Sequence, residues 1–368
     1  MTRVLVIEPA GNLWGSERAL LDLLGSVHTM ELAVCCPPKM PLNNELERRQ
    51  VRTLPYFIAR LHEKSRWHRL WAAFGVLRAC LEFRPDVIYL NQSGCYRVSL
   101  VAATLLNLPM VAHVRIFEDP PYLARRRPSA RRLRGILAIS SAIEQEILRF
   151  PELRGIPLHR IYDGYAASHG SHASRSVGTI GSRVAYLGRI VPNKGVSLLV
   201  GALNVMHSLG GNVECLIAGD GDERFVGELK REASNGNAAA AIQWLGIVGD
   251  TLPLLQTCSV LAVPSYHEAL GRVIFEAWNA GVVPVAFSGS GGAAEVIVAA
   301  QGGVLYDAQT PESLARGLQN ALSLSQQQRD QLISNGRSWL AANCNAEAYG
   351  AAVAEVLEGS VRSRSHLS

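Results

Sequence analysis

Two carboxylates eight positions apart, Glu268 and Glu276, bracket Gly271 in the stretch HEALGRVIFEAWNAGVVPVAFSGSGGAAEVI, residues 267–297. The apolar run SVLAVPS ends just before it. The pattern predicts a helix from about Leu270 to the residue before Gly281, a residue type suited to a helix C-cap. Glu268 then lies in the loop ahead of the helix, and Glu276 roughly two turns beyond it. The free N–H groups at a helix start form an anion site, and glycine, lacking a side chain, lets a phosphate approach closely. A carboxylate repels phosphate, so its partners are hydroxyls, such as the vicinal diol of a ribose or those of a sugar ring. Read chemically, the segment suits a ligand with a diphosphate at its centre and hydroxyls on either side. The alternative is two ordinary surface glutamates.

A second element is YLGRIVPNKG, residues 186–195. An apolar run ends in Gly188, Arg189 follows, and Lys194 comes five residues later. Two cations on a strand-end loop neutralise a departing diphosphate, the work a divalent metal does elsewhere. Two further apolar runs end in glycine, at Gly219 in ECLIAGDGDER and at Gly246 in IQWLGIVGD. Their backbones either approach a nucleotide or merely turn the chain. Near the N-terminus, EPAGNLWGSERALLDLLGS leads from a strand into a helix starting near Ser16, with Ser16 as N-cap and Glu17 in the first turn. The spacing does not fit GxGxxG. Gly15 and Ser16 are candidates to face a phosphate or an acceptor.

These loops need parallel strands to hold them. Apolar runs at Arg3–Glu8, Glu31–Cys36, Asp86–Asn91, Met110–Val114, Gly135–Ser140 and His159–Asp163 alternate with amphipathic segments. A second series follows at Arg183–Gly188, Val213–Gly219, Ile242–Gly246, Ser259–Pro264, Val283–Phe287 and Gly303–Tyr306. The expectation is α/β, with two doubly wound domains. Their ranges are 1–170, a Gly/Ser-rich linker at 171–182, and 183–345. Residues 346–368 follow as a helix and a loose polar tail that can pack back on the first domain. Ligands are expected at the carboxyl ends of the strands.

The chain has 368 residues and a net charge of +5, about right for two domains. Its most apolar stretch, Val98 to Val114, is interrupted by Asn107, Pro109 and His113, so no membrane span is predicted. No signal peptide is read at the N-terminus. The seven cysteines show no CxxC spacing and no metal-ligand set is apparent, so no metal site is expected. Buried, reduced thiols suggest a cytoplasmic protein. Six arginines fall within Ala124–Gly135, and basic residues surround Trp67 and Trp71. Three readings stand for this excess: a solvated face, an anionic membrane surface at the inner side of the membrane, or nucleic acid. No nucleic-acid motif accompanies it, and nucleic acid is not expected as a partner.

Taken together, Gly15-Ser16-Glu17, Gly188-Arg189 with Lys194-Gly195, Gly219-Asp220-Gly221 and Glu268 with Glu276 resemble the family 4, or group 1, glycosyltransferases. The resemblance covers nearly the whole chain and is strongest from Arg183 to Ala321. It implies the GT-B architecture, two Rossmann-like domains facing across a cleft. It also implies a retaining, metal-independent transfer from a nucleotide-diphosphate sugar, UDP- or GDP-linked, with no further cofactor. By that resemblance Arg189 and Lys194 grip the diphosphate, Glu276 the ribose and Glu268 the donor sugar. The Leu270 and Gly271 amides touch sugar and phosphate. His113, at a strand end of the first domain, would face the donor sugar, with Arg115, Glu118 and Asp119 on the acceptor side. The acceptor would be a glycan or a lipid-linked glycan, as in surface polysaccharide or glycolipid synthesis. The chain departs from the family pattern at Ser16, where a second glycine is common, at Leu270, where phenylalanine is common, and at Asp163, where asparagine usually precedes glycine. A nucleotide-sugar epimerase, a sugar phosphorylase and a non-catalytic sugar-nucleotide-binding subunit are the alternatives.

Overall fold

The computed structural model describes residues 1–56, 66–166 and 182–365. The expected linker falls almost wholly on 167–181, outside the described residues. The chain divides into two compact units, residues 1–166 with 344–368 and residues 167–343.

Unit 1 holds a seven-stranded parallel sheet of order β3-β2-β1-β4-β5-β6-β7. The strands are β1 (Thr2–Ile7), β2 (Met30–Cys36), β3 (Arg52–Pro55), β4 (Val87–Leu90), β5 (Met110–Val114), β6 (Leu133–Ala138) and β7 (Leu158–Arg160). Its helices are α1 (Gly15–Ser26), α2 (Pro41–Arg48), α3 (Arg66–Phe83), α4 (Tyr96–Leu105), α5 (Asp119–Ala124) and α6 (Ser141–Leu148).

Unit 2 holds a six-stranded parallel sheet of order β10-β9-β8-β11-β12-β13. Its strands are β8 (Arg183–Leu187), β9 (Glu214–Ala218), β10 (Ile242–Gly246), β11 (Val260–Val263), β12 (Val283–Phe287) and β13 (Val304–Tyr306). The helices are α7 (Val196–Ser208), α8 (Glu223–Ser234), α9 (Leu252–Gln256), α10 (Arg272–Ala280), α11 (Gly292–Ala300), α12 (Pro311–Leu322) and α13 (Gln326–Asn343).

In each sheet the chain winds outward in one direction, returns to the first strand and continues in the other. The reversal falls between β1 and β4 in unit 1 and between β8 and β11 in unit 2. The loops that leave neighbouring strands there go to opposite faces, which opens a crevice beyond the strand ends. The central strands are apolar on both faces and fully buried, as Val4 to Ile7 and Val260 to Val263 show. That is the expected signature of a sheet covered on both sides.

The last helix, α14 (Ala346–Ser365), belongs to unit 1. Tyr349, Val353, Ala354 and Leu357 join the core beneath α1, together with Leu20, Leu23, Tyr89 and Val111. The expected loose tail is shorter than read, because the helix runs through Gly359 to Ser365. Ser360 is buried and donates to the Val356 carbonyl at 2.8 Å, and Arg362 pairs with Glu358 at 3.1 Å. These local bonds carry a polar segment along the helix. All seven cysteines are buried.

Candidate functional site

The loop after β11 reaches Glu268, whose N–H donates to the Ser290 carbonyl at 2.7 Å and whose carbonyl accepts from Gly292 at 2.7 Å. These two bonds dock the loop onto the start of α11 and hold Glu268 still. Gly271 follows in the left-handed region, φ +83°, as the N-cap of α10. An added Cβ there would lie 3.1 Å from Ile274, 3.2 Å from Ala293 and 3.3 Å from the Glu268 side chain. Both the backbone angle and the space therefore favour glycine. Among the described residues, the N–H groups of Leu270 and Gly271 have no backbone acceptor. This is the condition of a helix start ready to take an anion. The Leu270 side chain is buried.

α10 is anchored through its apolar face. Phe275 and Trp278 stack at 6.0 Å, Trp339 of α13 sits 6.2 Å from Trp278, and the Trp278 indole donates to the Gly302 carbonyl at 2.6 Å. Glu276 is only half-buried, and its carboxylate accepts from the Thr251 hydroxyl at 2.6 Å. Gly281 ends the helix in the left-handed region.

Across the sheet reversal, β8 ends at Leu187 and is followed by Gly188 and the exposed Arg189. The Tyr186 hydroxyl donates to the Arg189 carbonyl at 2.7 Å and so steadies this loop. Burial, and next the charge of Glu268, push the Tyr186 phenol well above its usual range, so it remains a donor. Gly195 has φ +69°, and a Cβ there would lie 2.1 Å from the Pro264 carbonyl. This close approach draws the Lys194 loop onto the end of β11. The result is an ion pair: Lys194 Nζ lies 2.6 Å from Glu268 Oε2, which also accepts from the Ser265 hydroxyl at 3.0 Å. The remaining glycines singled out from sequence line neighbouring strand ends. Gly188 N–H donates to Ala218 at 3.1 Å, and Gly219 N–H donates to Gly246 at 2.7 Å. Sequence inspection missed Tyr186, Thr251 and Ser265. Only the position of Ser265, at the end of an apolar run, offered a signal.

Unit 1 gathers a different set at its own reversal. Glu8, just past β1, is fully buried and accepts from Ala10 N–H at 2.9 Å, from Gln92 at 2.8 Å and from Asn91. Burial, then the nearby charge of Glu17, raise its carboxyl to about 8 against the pull of the Asn91 and Ala10 donors. Gln92 also donates to Ser16 Oγ at 3.2 Å, and Ser16 donates to Glu17 at 3.1 Å. Ser16 is not the N-cap expected from sequence. α1 begins one residue earlier, at the exposed Gly15, with Trp14 as N-cap. The Glu17 carboxylate takes the Trp14 N–H at 3.1 Å and so satisfies the helix start from inside the first turn.

His113 is fully buried at the end of β5 and presents no surface to solvent. Its Nδ1 accepts from the Tyr89 hydroxyl at 2.7 Å and from Arg115 at 3.1 Å, which places the proton of the neutral ring on Nε2. Burial and the Arg115 charge hold its pKa well below the usual range. Nε2 lies 4.0 Å from Asp163 and has no hydrogen-bond partner among the described residues. Arg115 is buried as well. It binds Asp163, the Asn91 carbonyl at 2.9 Å and the Tyr349 hydroxyl of α14 at 3.2 Å. Asp119 is buried, and burial lifts its pKa to about 6, whereas Glu118 is exposed. Glu8, Asn91 and Gln92 were not singled out from sequence. Among the described residues no group of three His, Cys, Asp or Glu side chains is arranged to hold a metal ion. No described helix is long and apolar enough to cross a membrane.

The model of glycosyltransferase family 4 matches residues 15–168, and that of the group 1 glycosyl transferases matches residues 181–339. An uncharacterised glycosyltransferase of Methanocaldococcus jannaschii is 32% identical over 143 residues, 38% of this chain and 35% of that protein. The lipopolysaccharide core biosynthesis glycosyltransferase LpsE of Rhizobium meliloti is 28% identical over 174 residues, 47% of this chain and 49% of LpsE. The matches thus span about half or less of the length of these relatives. Anabaena HepE, solved in complex with UDP and glucose, superposes with a TM-score of 0.81 at 20% identity. That superposition covers 97% of this chain and 100% of HepE, which shows that the two share the GT-B fold. With one model matching each unit, the chain belongs to the group 1, family 4 glycosyltransferases.

Proposed function

We propose that the chain transfers a sugar from a nucleotide-diphosphate sugar, UDP- or GDP-linked, to an acceptor hydroxyl with retention at the anomeric carbon. The observation that carries this reading is the gathering of Arg189, Lys194, Glu268 and the open start of α10 at the β8/β11 reversal. Supporting it are HepE, whose complex contains UDP and glucose, and LpsE, whose name assigns it to lipopolysaccharide core biosynthesis.

In this reading the diphosphate lies against the start of α10, and Arg189 and Lys194 take its growing charge as the bond from the anomeric carbon to the phosphate oxygen breaks. Fixed cations supply what a divalent ion supplies elsewhere, so no metal is required. Glu276, held by Thr251, accepts from the ribose hydroxyls, and Glu268 accepts from the sugar. The acceptor oxygen bonds to the anomeric carbon on the face the phosphate leaves. Its proton passes to an oxygen of the departing diphosphate. Atoms and charge then balance without a protein nucleophile, unlike the paired carboxylates of a retaining glycosidase. Gly15 and Ser16 in unit 1 are assigned to the acceptor, a glycan or lipid-linked glycan. His113, expected from the resemblance to face the donor sugar, is neutral and enclosed and is assigned instead to positioning Arg115 and Tyr89. A lipid-linked acceptor would bring the reaction to an anionic membrane surface.

The test is to incubate UDP- and GDP-sugars with acceptor extracts and follow nucleotide release, with NMR of the new linkage. Release that requires acceptor, with the donor's anomeric configuration kept, supports transfer. Inversion would overturn the retaining mechanism. Donor isomerisation without release would favour an epimerase, release that requires inorganic phosphate a phosphorylase, and binding without turnover a non-catalytic subunit.

A further inference from the structure

α3 is apolar around nearly its whole circumference, yet it covers unit 1 with only one side. Ala72, Ala73, Val76, Ala79, Cys80 and Phe83 face inward and are buried. The opposite side carries Trp67, Leu70, Trp71, Phe74, Arg78 and Leu81, which fall within about 100° of the helix circumference at 3.6 residues per turn. The five apolar members are between 57% and 72% exposed, the state water disfavours most for side chains of this size. Trp71 and Phe74 meet edge to face at 6.2 Å, so the surface is a formed ridge. α4 packs beside α3 and adds exposed Val101 and Leu105.

Cations rim this ridge. Arg78 lies within it, and Arg97 is exposed at the start of α4. The arginine-rich segment is tied to both ends of α4. At one end Arg126 covers the Tyr122 ring at 3.5 Å while the Tyr122 hydroxyl binds Gly94. At the other, Arg132 bonds Asn107. Arg125, Arg127 and Arg131 remain exposed between them. On α3 and α4, among the described residues, the one exposed carboxylate is Glu82, and it pairs with Arg52 at 3.3 Å.

We infer that the exposed face of α3 and α4 inserts shallowly into an anionic lipid surface. Tryptophan and phenylalanine enter the headgroup boundary, and the arginine rim meets lipid phosphates. A second copy of the chain fits less well, because it would set arginine against arginine with no free carboxylate on α3 or α4 among the described residues to answer. The inference deepens the membrane part of the reading above. It does not depend on the transfer chemistry, so vesicle binding and nucleotide binding can fail separately.

The experiment is cosedimentation of the full chain with phosphatidylcholine vesicles and with vesicles containing about one third phosphatidylglycerol. The chain should partition onto the anionic vesicles and far less onto the neutral ones. The triple variant Trp67→Ala, Trp71→Ala, Phe74→Ala should lose about tenfold or more of that partition, with an unchanged melting curve because all three side chains are exposed. Arg78→Glu with Arg97→Glu should lower it in the same direction. Absence of wild-type binding, or wild-type binding by the triple variant, would overturn the inference. So would a wild-type dimer that ignores vesicles and dissociates in the triple variant, which would make the face a contact between copies.

Discussion

Lys194 and Glu268, 74 residues apart, meet with Nζ 2.6 Å from Oε2 where β8 and β11 end side by side. Both are mostly screened from water, with 21% and 15% of their side chains exposed. The cation assigned to the diphosphate is thus already held by the carboxylate assigned to the sugar. Lys194→Ala and Arg189→Ala should each lower kcat by about a hundredfold, the usual cost of removing one group that stabilises transition-state charge. Steady-state nucleotide release measures this, and full turnover in either variant would remove the leaving-group role.

Gly271→Ala forces a side chain into the left-handed region and against Ala293 and Glu268. It should cost about 1–2 kcal/mol of stability. It should also weaken nucleotide binding, because relief of the contact moves Glu268 or the start of α10. Thermal unfolding and UDP titration of the same sample test both parts. An unchanged affinity would show that the anion does not sit at this helix start.

Arg115 is buried against Asp163, and among the described residues no other lysine or arginine pairs with that carboxylate. Arg115→Met should cost about 3–5 kcal/mol, because it leaves a carboxylate buried without its cation. Urea unfolding would measure the loss. The double variant Arg115→Met, Asp163→Leu should recover much of it.

Much of the architecture was legible. Among the described residues, twelve of the thirteen strands overlap apolar runs visible in the sequence, and the central ones, buried on both faces, are written as continuous Val, Ile, Leu and Ala. β3 escaped notice because it is an edge strand of four residues with only Leu54 buried. Glu268, Gly271 and Glu276 could be placed on a loop and a helix because those relations are local. The Lys194–Glu268 pair and the Thr251–Glu276 bond could not, since both depend on which strands are neighbours. The same holds for Glu8 with Asn91 and Gln92, which meet only because β1 pairs with β4. His113 was identified as a strand-end residue, but its enclosure by Tyr89, Arg115 and Asp163 depends on three separate elements.

Glu8 makes stability depend on pH. Its folded pKa is raised from 4.5 to about 8, so the folded state binds a proton more tightly than the unfolded chain. The associated stability is fully present below pH 4.5 and is lost as pH rises through about 8. Melting temperature should therefore fall between pH 5.5 and pH 8, conditions chosen to bracket most of that window. Glu17→Gln removes the neighbouring charge that helps raise Glu8, so the fall should be shallower in that variant. Equal slopes would assign the pH dependence to other groups.

The central claim is that unit 2 holds a nucleotide diphosphate between Glu276, the start of α10 and the two cations. Calorimetric titration of UDP, GDP and ADP into the wild-type chain and into Glu276→Ala tests it most directly. The account predicts tight binding of UDP or GDP, weakened in the variant by about 1–3 kcal/mol for the lost charged hydrogen bonds. Equal binding by wild type and Glu276→Ala, or binding of none of the three, would contradict it.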